Sequence, residues 1–357
     1  MRTKILFFSF LVITLFNLNG QESSNSNPAG TDNKDISKLN EGPYIFIEKD
    51  KLIEKGIVNG KVYSKELPLD SYKTDFTPEK SEYKGVEKVA VLSDIHGQYD
   101  LTIELFKNNG IIDAELNWNF GNGHLVIVGD IFDRGPKVNE MLWFLYKLEK
   151  QAEKENGKVH FLLGNHEYMV LLGDLRYLHK KYETLSKLLN ISYDELYGPE
   201  TVLGRWIRSR ATVIKIGNDT FVHGGISSQF LSHGYDISEI NMVMRNSIDR
   251  ETNQLRASDL FKIYFGRSGP IWYRGYFTDN LEDTEISGIL NRINSKHIIV
   301  GHCSNKEVVQ LYDHKIYGVD SSLKGGEYGE LLFIINQKEY YRATLDGKKI
   351  QFKNSKN

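Results

Sequence analysis

Five short apolar runs in this chain each stop abruptly at a polar donor beside glycine. Val89-Ala90-Val91-Leu92 leads into Ser93-Asp94-Ile95-His96-Gly97, and Val126-Ile127-Val128 leads into Gly129-Asp130-Ile131-Phe132-Asp133-Arg134-Gly135. Val159-His160-Phe161-Leu162-Leu163 ends in Gly164-Asn165-His166-Glu167, Thr220-Phe221-Val222 in His223-Gly224-Gly225, and His297-Ile298-Ile299-Val300 in Gly301-His302. Apolar runs without polar alternation predict strands covered on both faces. A single carboxylate at such an end reads as the cap of the next helix. Five donor-bearing ends of one construction predict a shared site at the carboxyl edge of a sheet.

Between these runs the period changes. Leu101 to Asn108 and Asn139 to Glu153 have helical spacing, the second through Met141, Leu142, Leu145 and Leu148, which read as core positions. Strands alternating with helices from Glu87 onward predict an α/β layered main domain over residues 87–357. Residues 168–210 lose the strand signal and read as a helical insertion bordering the site, where substrate selection commonly resides. Asp236 to Phe265 reads as helical too, and after Gly301 the chain turns to β, with runs at Lys315–Val319, Leu331–Ile335, Tyr340–Thr344 and Ile350–Phe352. Residues 43–86 read as a small β appendage, because Asn59-Gly60 between β-formers is a two-residue hairpin signal.

The N-terminus carries Arg2 and Lys4, then the apolar run Ile5 to Phe16, then a small polar stretch. Residues 1–20 have the pattern of an export signal, and the apolar core is short for a membrane span. The expected location is periplasmic or secreted, with a bacterial cell envelope fitting best and no stable membrane insertion once the signal is cleaved. Residues 21–42, polar and rich in Ser, Asn and Asp, read as a flexible linker. Cys303 is the sole cysteine, so no internal disulfide forms, and no cysteine near the signal junction offers a lipid anchor. Lys and Arg number 45 against 47 Asp and Glu, a balance that argues against nucleic acid or an anionic membrane as partner.

Asp94, His96, Asp130, Asn165, His223 and His302 offer only oxygen and imidazole nitrogen. That donor set suits borderline divalent ions such as Mn, Fe, Zn or Ni, and it exceeds the needs of one tetrahedral ion. Two ions about 3.5–4 Å apart, sharing a carboxylate, form a clamp for in-line displacement at phosphorus. Asp133 is open to two roles, helix cap and site residue. His160 and His297 sit earlier in their strands and read as hydrogen-bonded core, Glu167 as a cap or a support of a ligand, and Cys303 as a small buried filler.

Asp-Ile-His-Gly, Gly-Asp-Ile-Phe-Asp-Arg-Gly, Gly-Asn-His-Glu, His-Gly-Gly and Gly-His, in that order over about Lys88 to Leu332, resemble the calcineurin-like metallophosphoesterase signature in its phosphoprotein phosphatase form. Gly269-Pro270-Ile271-Trp272-Tyr273-Arg274-Gly275 is most similar to the bacterial branch called Shewanella-like phosphatases. The resemblance implies an α/β fold, a layered β-sandwich flanked by helices, with residues 87–357 as the catalytic domain. It implies two divalent or trivalent ions, Mn, Fe or Zn, with Asp94 and His96 on one, Asp130 bridging, and Asn165, His223 and His302 completing the second. A metal-bridging hydroxide would attack phosphorus without a phosphoenzyme. His166 would protonate the leaving oxygen, Asp133 would orient it, and Arg134 and Arg274 would clamp the phosphoryl oxygens, although Arg267 competes with Arg274 for that position.

The function expected is hydrolysis of phosphomonoesters, on phosphoprotein or small substrates, with phosphotyrosine favoured over phosphoserine and phosphothreonine by the branch resembled. The same metal core would serve a phosphodiesterase or a dinucleoside polyphosphate hydrolase. An inactive binding module of the same fold would lack a ligand or the acid, and none is missing here.

Overall fold

The computed structural model describes residues 36–352; the stretch read as an export signal and most of that read as linker lie outside the described residues. Three antiparallel strands come first, β1 (Glu41–Ile47), β2 (Leu52–Val58) and β3 (Lys61–Leu67). Asn59 and Gly60 turn β2 into β3 with φ of 50° and 73°, the positive pair a two-residue turn of this kind demands. They are followed by β4 (Glu82–Tyr83), β5 (Lys88–Leu92), β6 (His124–Ile127), β7 (Lys158–Phe161), β8 (Val213–Ile216), β9 (Asp219–Val222), β10 (His297–Val300), β11 (Val309–Leu311), β12 (Ile316–Gly318), β13 (Leu331–Ile335), β14 (Glu339–Ala343) and β15 (Lys349–Gln351).

These later strands form two six-stranded sheets, ordered β15-β14-β13-β5-β6-β7 and β11-β12-β10-β9-β8-β4. The period-2 alternation of each strand splits its side chains between two cores. Val89, Val91, Val126, Val128, Leu332 and Ile334 from the first sheet meet Ile214, Phe221, Ile299 and Tyr317 from the second, which makes a sandwich. Ala90, Leu92, Leu125, Ile127 and Phe333 face outward into a second core under the helices. Burial on both faces is why these strands carry no polar alternation.

Helices α1 (Tyr99–Asn108), α2 (Val138–Lys154), α3 (Asn165–Leu171), α4 (Lys180–Leu189) and α5 (Val202–Arg208) cover the first sheet and extend beyond it. In α2 the positions Met141, Leu142, Leu145 and Leu148 are all fully buried. The stretch expected as helix over Asp236 to Phe265 divides into Ile237–Ser247, Thr252–Ala257 and Asp259–Tyr264, each started by a side-chain cap, from Asp236, Glu251 and Ser258. Strands β8 and β11 were not foreseen; each is short, and β8 carries Lys215 in its middle.

Strands β5, β6 and β7 are parallel to one another, as are β9, β10 and β12. Their carboxyl ends therefore emerge together at one edge of the sandwich. Backbone bonds carry the ladder past the strand ends: Val128 N–H donates to Leu92 O, Asp94 N–H to Gly129 O, His96 N–H to Asp130 O, and Gly301 N–H to His223 O. Among the described residues no helix is long and apolar enough to cross a membrane.

Candidate active site

The five strand ends converge on Asp130. Its Oδ2 lies 3.2 Å from His223 Nε2, 3.7 Å from His96 Nε2 and 3.9 Å from His166 Nε2, and its Oδ1 accepts the His166 backbone N–H at 3.0 Å. Donor atoms of His96, Asp130 and His166 stand within 4.8 Å of one another, and so do those of Asp130, His223 and His302. Asp94 joins the first group, with Oδ1 3.8 Å from His96 Nε2 and Oδ2 accepting the His302 backbone N–H at 2.9 Å. Asn165 joins the second, its Oδ1 2.9 Å from His223 Nε2 while its amide nitrogen faces the Met169 sulfur. All six expected donors are thus brought together, with Asp130 common to both groups.

The backbone accommodates this convergence in an unusual way. Asp94, His96, Asp130, Asp133, Arg134 and His302 all have φ between 46° and 70°, a region that residues with a Cβ enter only where the surroundings hold them. Glu167 supplies one such constraint, since its buried carboxylate accepts N–H bonds from Asp130, Ile131 and Phe132 as well as from Gly164 at the start of α3. Gly129, itself at φ 84°, lets strand β6 pass this close: a Cβ there would sit 2.6 Å from Gly164 N and 2.8 Å from His223 Nδ1.

The imidazoles are oriented by what their other nitrogen does. His96 Nδ1 donates to Phe132 O at 2.7 Å and His223 Nδ1 to Val128 O at 2.7 Å, which leaves each Nε2 facing Asp130. His302 Nε2 is buried without a hydrogen-bond partner. Burial keeps His96 down at about 3, and burial together with the charge on His223 keeps His302 down at about 2, so both rings are neutral electron-pair donors. Asp94 is pushed up to about 8 by burial and by the carboxylate of Asp320, a pressure that a cation beside Asp94 and His96 would relieve. Asp130, although buried, is held well below the usual carboxylate range by the imidazoles of His223, His166 and His96. Burial opposes charge on His223, yet Asp130 raises it to about 10, so a cation beside Asp130 would take the place of that proton. The neutral imidazoles of His96 and His302, an ionised shared carboxylate and the orphaned buried nitrogen of His302 fit divalent ions.

His166 follows Asn165 on α3 but faces differently. Its Nδ1 meets Asp133 Oδ2 at 2.5 Å, both groups being buried. Burial opposes charge on this ring, yet Asp130 and Asp133 together raise its pKa above the ordinary histidine value. The alternative role of Asp133 as a helix cap is not taken up: α2 starts at Val138 after Lys137, without a side-chain cap. Arg134 is exposed at the rim. Arg274 also sits at the rim, its Nη1 donating to His302 O at 3.0 Å and to Cys303 Sγ at 3.5 Å, whereas Arg267 lines the same outer cavity with no such bond to a ligand strand.

Away from the site, His160 is bonded to Glu79 and His124, and His297 to Asp219, as buried or half-buried structural pairs. Two neighbours of the site were missed in the sequence. Asp320 follows β12 and is fully buried beside Asp94; it ends a run, Ile316 to Val319, much like the others, but no glycine follows it. Tyr177, between α3 and α4, lies with its ring centroid 5.2 Å from that of His166, and no local pattern marks a loop tyrosine for such a place.

Residues 87–303 match the calcineurin-like phosphoesterase family. The chain is 38% identical to the cold-active protein-tyrosine phosphatase of a psychrophilic Shewanella species, covering 88% of this chain and 100% of that one with a TM-score of 0.84. It is 27% identical to Shewanella-like protein phosphatase 1 of Plasmodium berghei, over 67% of each chain, and 25% identical to Shewanella-like protein phosphatase 2 of Arabidopsis thaliana, over 62% of this chain and 68% of that one. The chain belongs to the calcineurin-like phosphoesterase family, as a phosphatase related to the Shewanella-like protein phosphatases.

Proposed function

We propose that the protein is a dinuclear metal-dependent phosphomonoesterase acting on phosphoproteins, with phosphotyrosine favoured over phosphoserine and phosphothreonine. The observation that carries this reading is the His166–Asp133 pair, buried at 2.5 Å and set with Nε2 toward the shared carboxylate of Asp130. Asp94, His96 and Asp130 would hold one ion, and Asp130, Asn165, His223 and His302 the other. Bound there, the ions would supply Lewis-acid polarisation of the phosphoryl group and activation of a water.

The chain's own groups do the rest. Asp133 occupies His166 Nδ1, so a proton can leave that ring only from Nε2, on the side facing Asp130. Arg134 and Arg274 reach the rim from opposite loops, and each guanidinium has paired N–H donors suited to phosphoryl oxygens. Direct hydrolysis fits the site, since the groups gathered around Asp130 are ligands and a proton donor, and the nearby Ser93 hydroxyl and Cys303 sulfur are engaged by Asp94 and Arg274. The tyrosine preference rests on the Shewanella relative, whose name gives that specificity and whose full length this chain matches. Export to a periplasmic or extracellular compartment is part of the same proposal, supported by Arg2, Lys4 and the apolar run after them.

The test pairs metal analysis with a substrate panel. Protein purified with manganese is expected to contain two ions per chain and to hydrolyse phosphotyrosine peptides faster than matched phosphoserine peptides. Turnover of diesters or dinucleoside polyphosphates alone would overturn the reading.

A further inference from the structure

Tyr177 stands beside the imidazole of His166. Its backbone carbonyl accepts the Arg134 N–H at 3.0 Å, tying the α3–α4 loop to the loop after β6. Its ring lies 5.2 Å from the His166 ring at a 52° tilt, and the Arg134 guanidinium is 5.0 Å from its centroid. Arg176 approaches the same ring at 5.7 Å. The tyrosine nevertheless remains 42% exposed, beside a centre whose other aromatic rings are largely covered.

We propose that Tyr177 is a specificity-determining residue, a π-platform for an aromatic leaving group, and this rests on the phosphomonoesterase reading above. Hydrolysis breaks the P–O bond to the leaving oxygen, which keeps the electron pair and takes one proton, while the oxygen of water joins phosphorus. The proton comes from His166 Nε2, so the leaving oxygen sits against that ring, and whatever carries the oxygen lies next to the neighbours of His166. Of its two ring neighbours, His96 is buried among the ligands and Tyr177 is exposed. In phosphotyrosine the carrier is an aryl ring with a face to offer, which suits offset or edge-to-face packing on an exposed tyrosine. In phosphoserine it is one methylene, which gains almost nothing there. The guanidinium of Arg134 beside the ring keeps the platform adjacent to the phosphate clamp, so phosphate and aryl group are read side by side.

The alternative is that Tyr177 is only a shelf for Arg134, and the two roles separate in a substrate comparison. Manganese-loaded wild type, Tyr177→Phe and Tyr177→Ala are assayed for kcat/KM on two peptides that differ only in carrying phosphotyrosine or phosphoserine. Tyr177→Ala is expected to lower the tyrosine-to-serine ratio about 3–10-fold, the range of one aromatic pair, and Tyr177→Phe to retain it. Should the alanine variant unfold, Tyr177→Leu, with bulk but no π-face, is expected to show the same fall. An equal loss on both peptides, or an unchanged ratio, overturns the platform and leaves the phosphatase reading standing. Wild type active on neither peptide overturns that reading and the platform with it.

Discussion

His166 illustrates how a single side chain gains a role from what surrounds it. An imidazole on the first turn of a helix has no special chemistry, but here one nitrogen is fixed by Asp133 at 2.5 Å and the other looks toward Asp130. Replacing it with asparagine is expected to lower kcat about 10²–10⁴-fold, the span usual for a proton donor, with metal content near that of wild type. Asp130→Asn is expected to behave in the opposite way, depleting both ions because one carboxylate serves both groups. Metal analysis beside steady-state kinetics distinguishes the two, and normal turnover by His166→Asn would remove that residue from the reaction. That the donors would gather was legible in the sequence, since they sit directly after apolar runs, whereas the roles of His166 and Asp130 came from the resemblance to the phosphoprotein phosphatase signature. The place of Tyr177 was not legible, because its position comes from the path of a loop folding back over α3 and from its carbonyl meeting Arg134 N–H.

At the level of elements, the central strands were legible because coverage on both faces leaves short apolar runs bounded by glycine, and the β2–β3 hairpin because of Asn59-Gly60. β8 was missed because Lys215 and the adjacent Gly217-Asn218 dilute it, and only pairing with β9 shows it as a strand. The β13–β14 hairpin, by contrast, was visible from its β-formers, yet part of what secures it was not. Glu330, fully buried just before β13, receives Arg342 of β14 through two bonds of 2.9 and 2.7 Å, with Tyr328 and the Val308 N–H as further donors. Burial pushes its pKa up, but these donors outweigh burial and hold it below the ordinary glutamate value. A carboxyl with a depressed folded-state pKa contributes stability above the unfolded value, and loses it as pH falls through the folded one. Glu330→Gln is therefore expected to reduce unfolding free energy by about 1–3 kcal/mol at pH 7.5, the range for hydrogen bonds to a charged group, and the gap should narrow at a pH below the ordinary glutamate value of about 4.3, as the wild-type carboxyl takes up its proton. Urea titrations of both proteins at the two pH values measure it; a gap that widens toward acid would contradict the assignment.

For the molecule as a whole, the question is what the three-stranded sheet does, since it contributes no donor to the site. It packs against α2 and the helical segment through Tyr44, and through Pro43 O, which accepts from Trp143 Nε1 at 2.8 Å. Ile47 N–H reaches Glu200 O at 2.8 Å, so β1 also grips the chain just before α5. Tyr44 meets Tyr197 edge-on at 5.9 Å, Tyr197 meets Phe132 at 4.8 Å, and Phe132 offers the carbonyl that orients His96. The sheet thus braces, through rings packed edge to face, the strained loop that carries Asp130, Asp133 and Arg134. Removing the Tyr44 ring opens a cavity in that cluster, and Tyr44→Ala is expected to cost about 3–5 kcal/mol, the usual range for deleting a buried aromatic side chain. Because the brace ends on the site loop, the variant should also lose phosphatase activity at a lower temperature than the one at which its bulk secondary structure melts, a separation that wild type should not show. Circular dichroism and residual-activity curves over the same temperature ramp provide the check: a variant as stable as wild type would show that the sheet is only attached to the domain, and coincident curves at a lowered midpoint would confine its role to global stability.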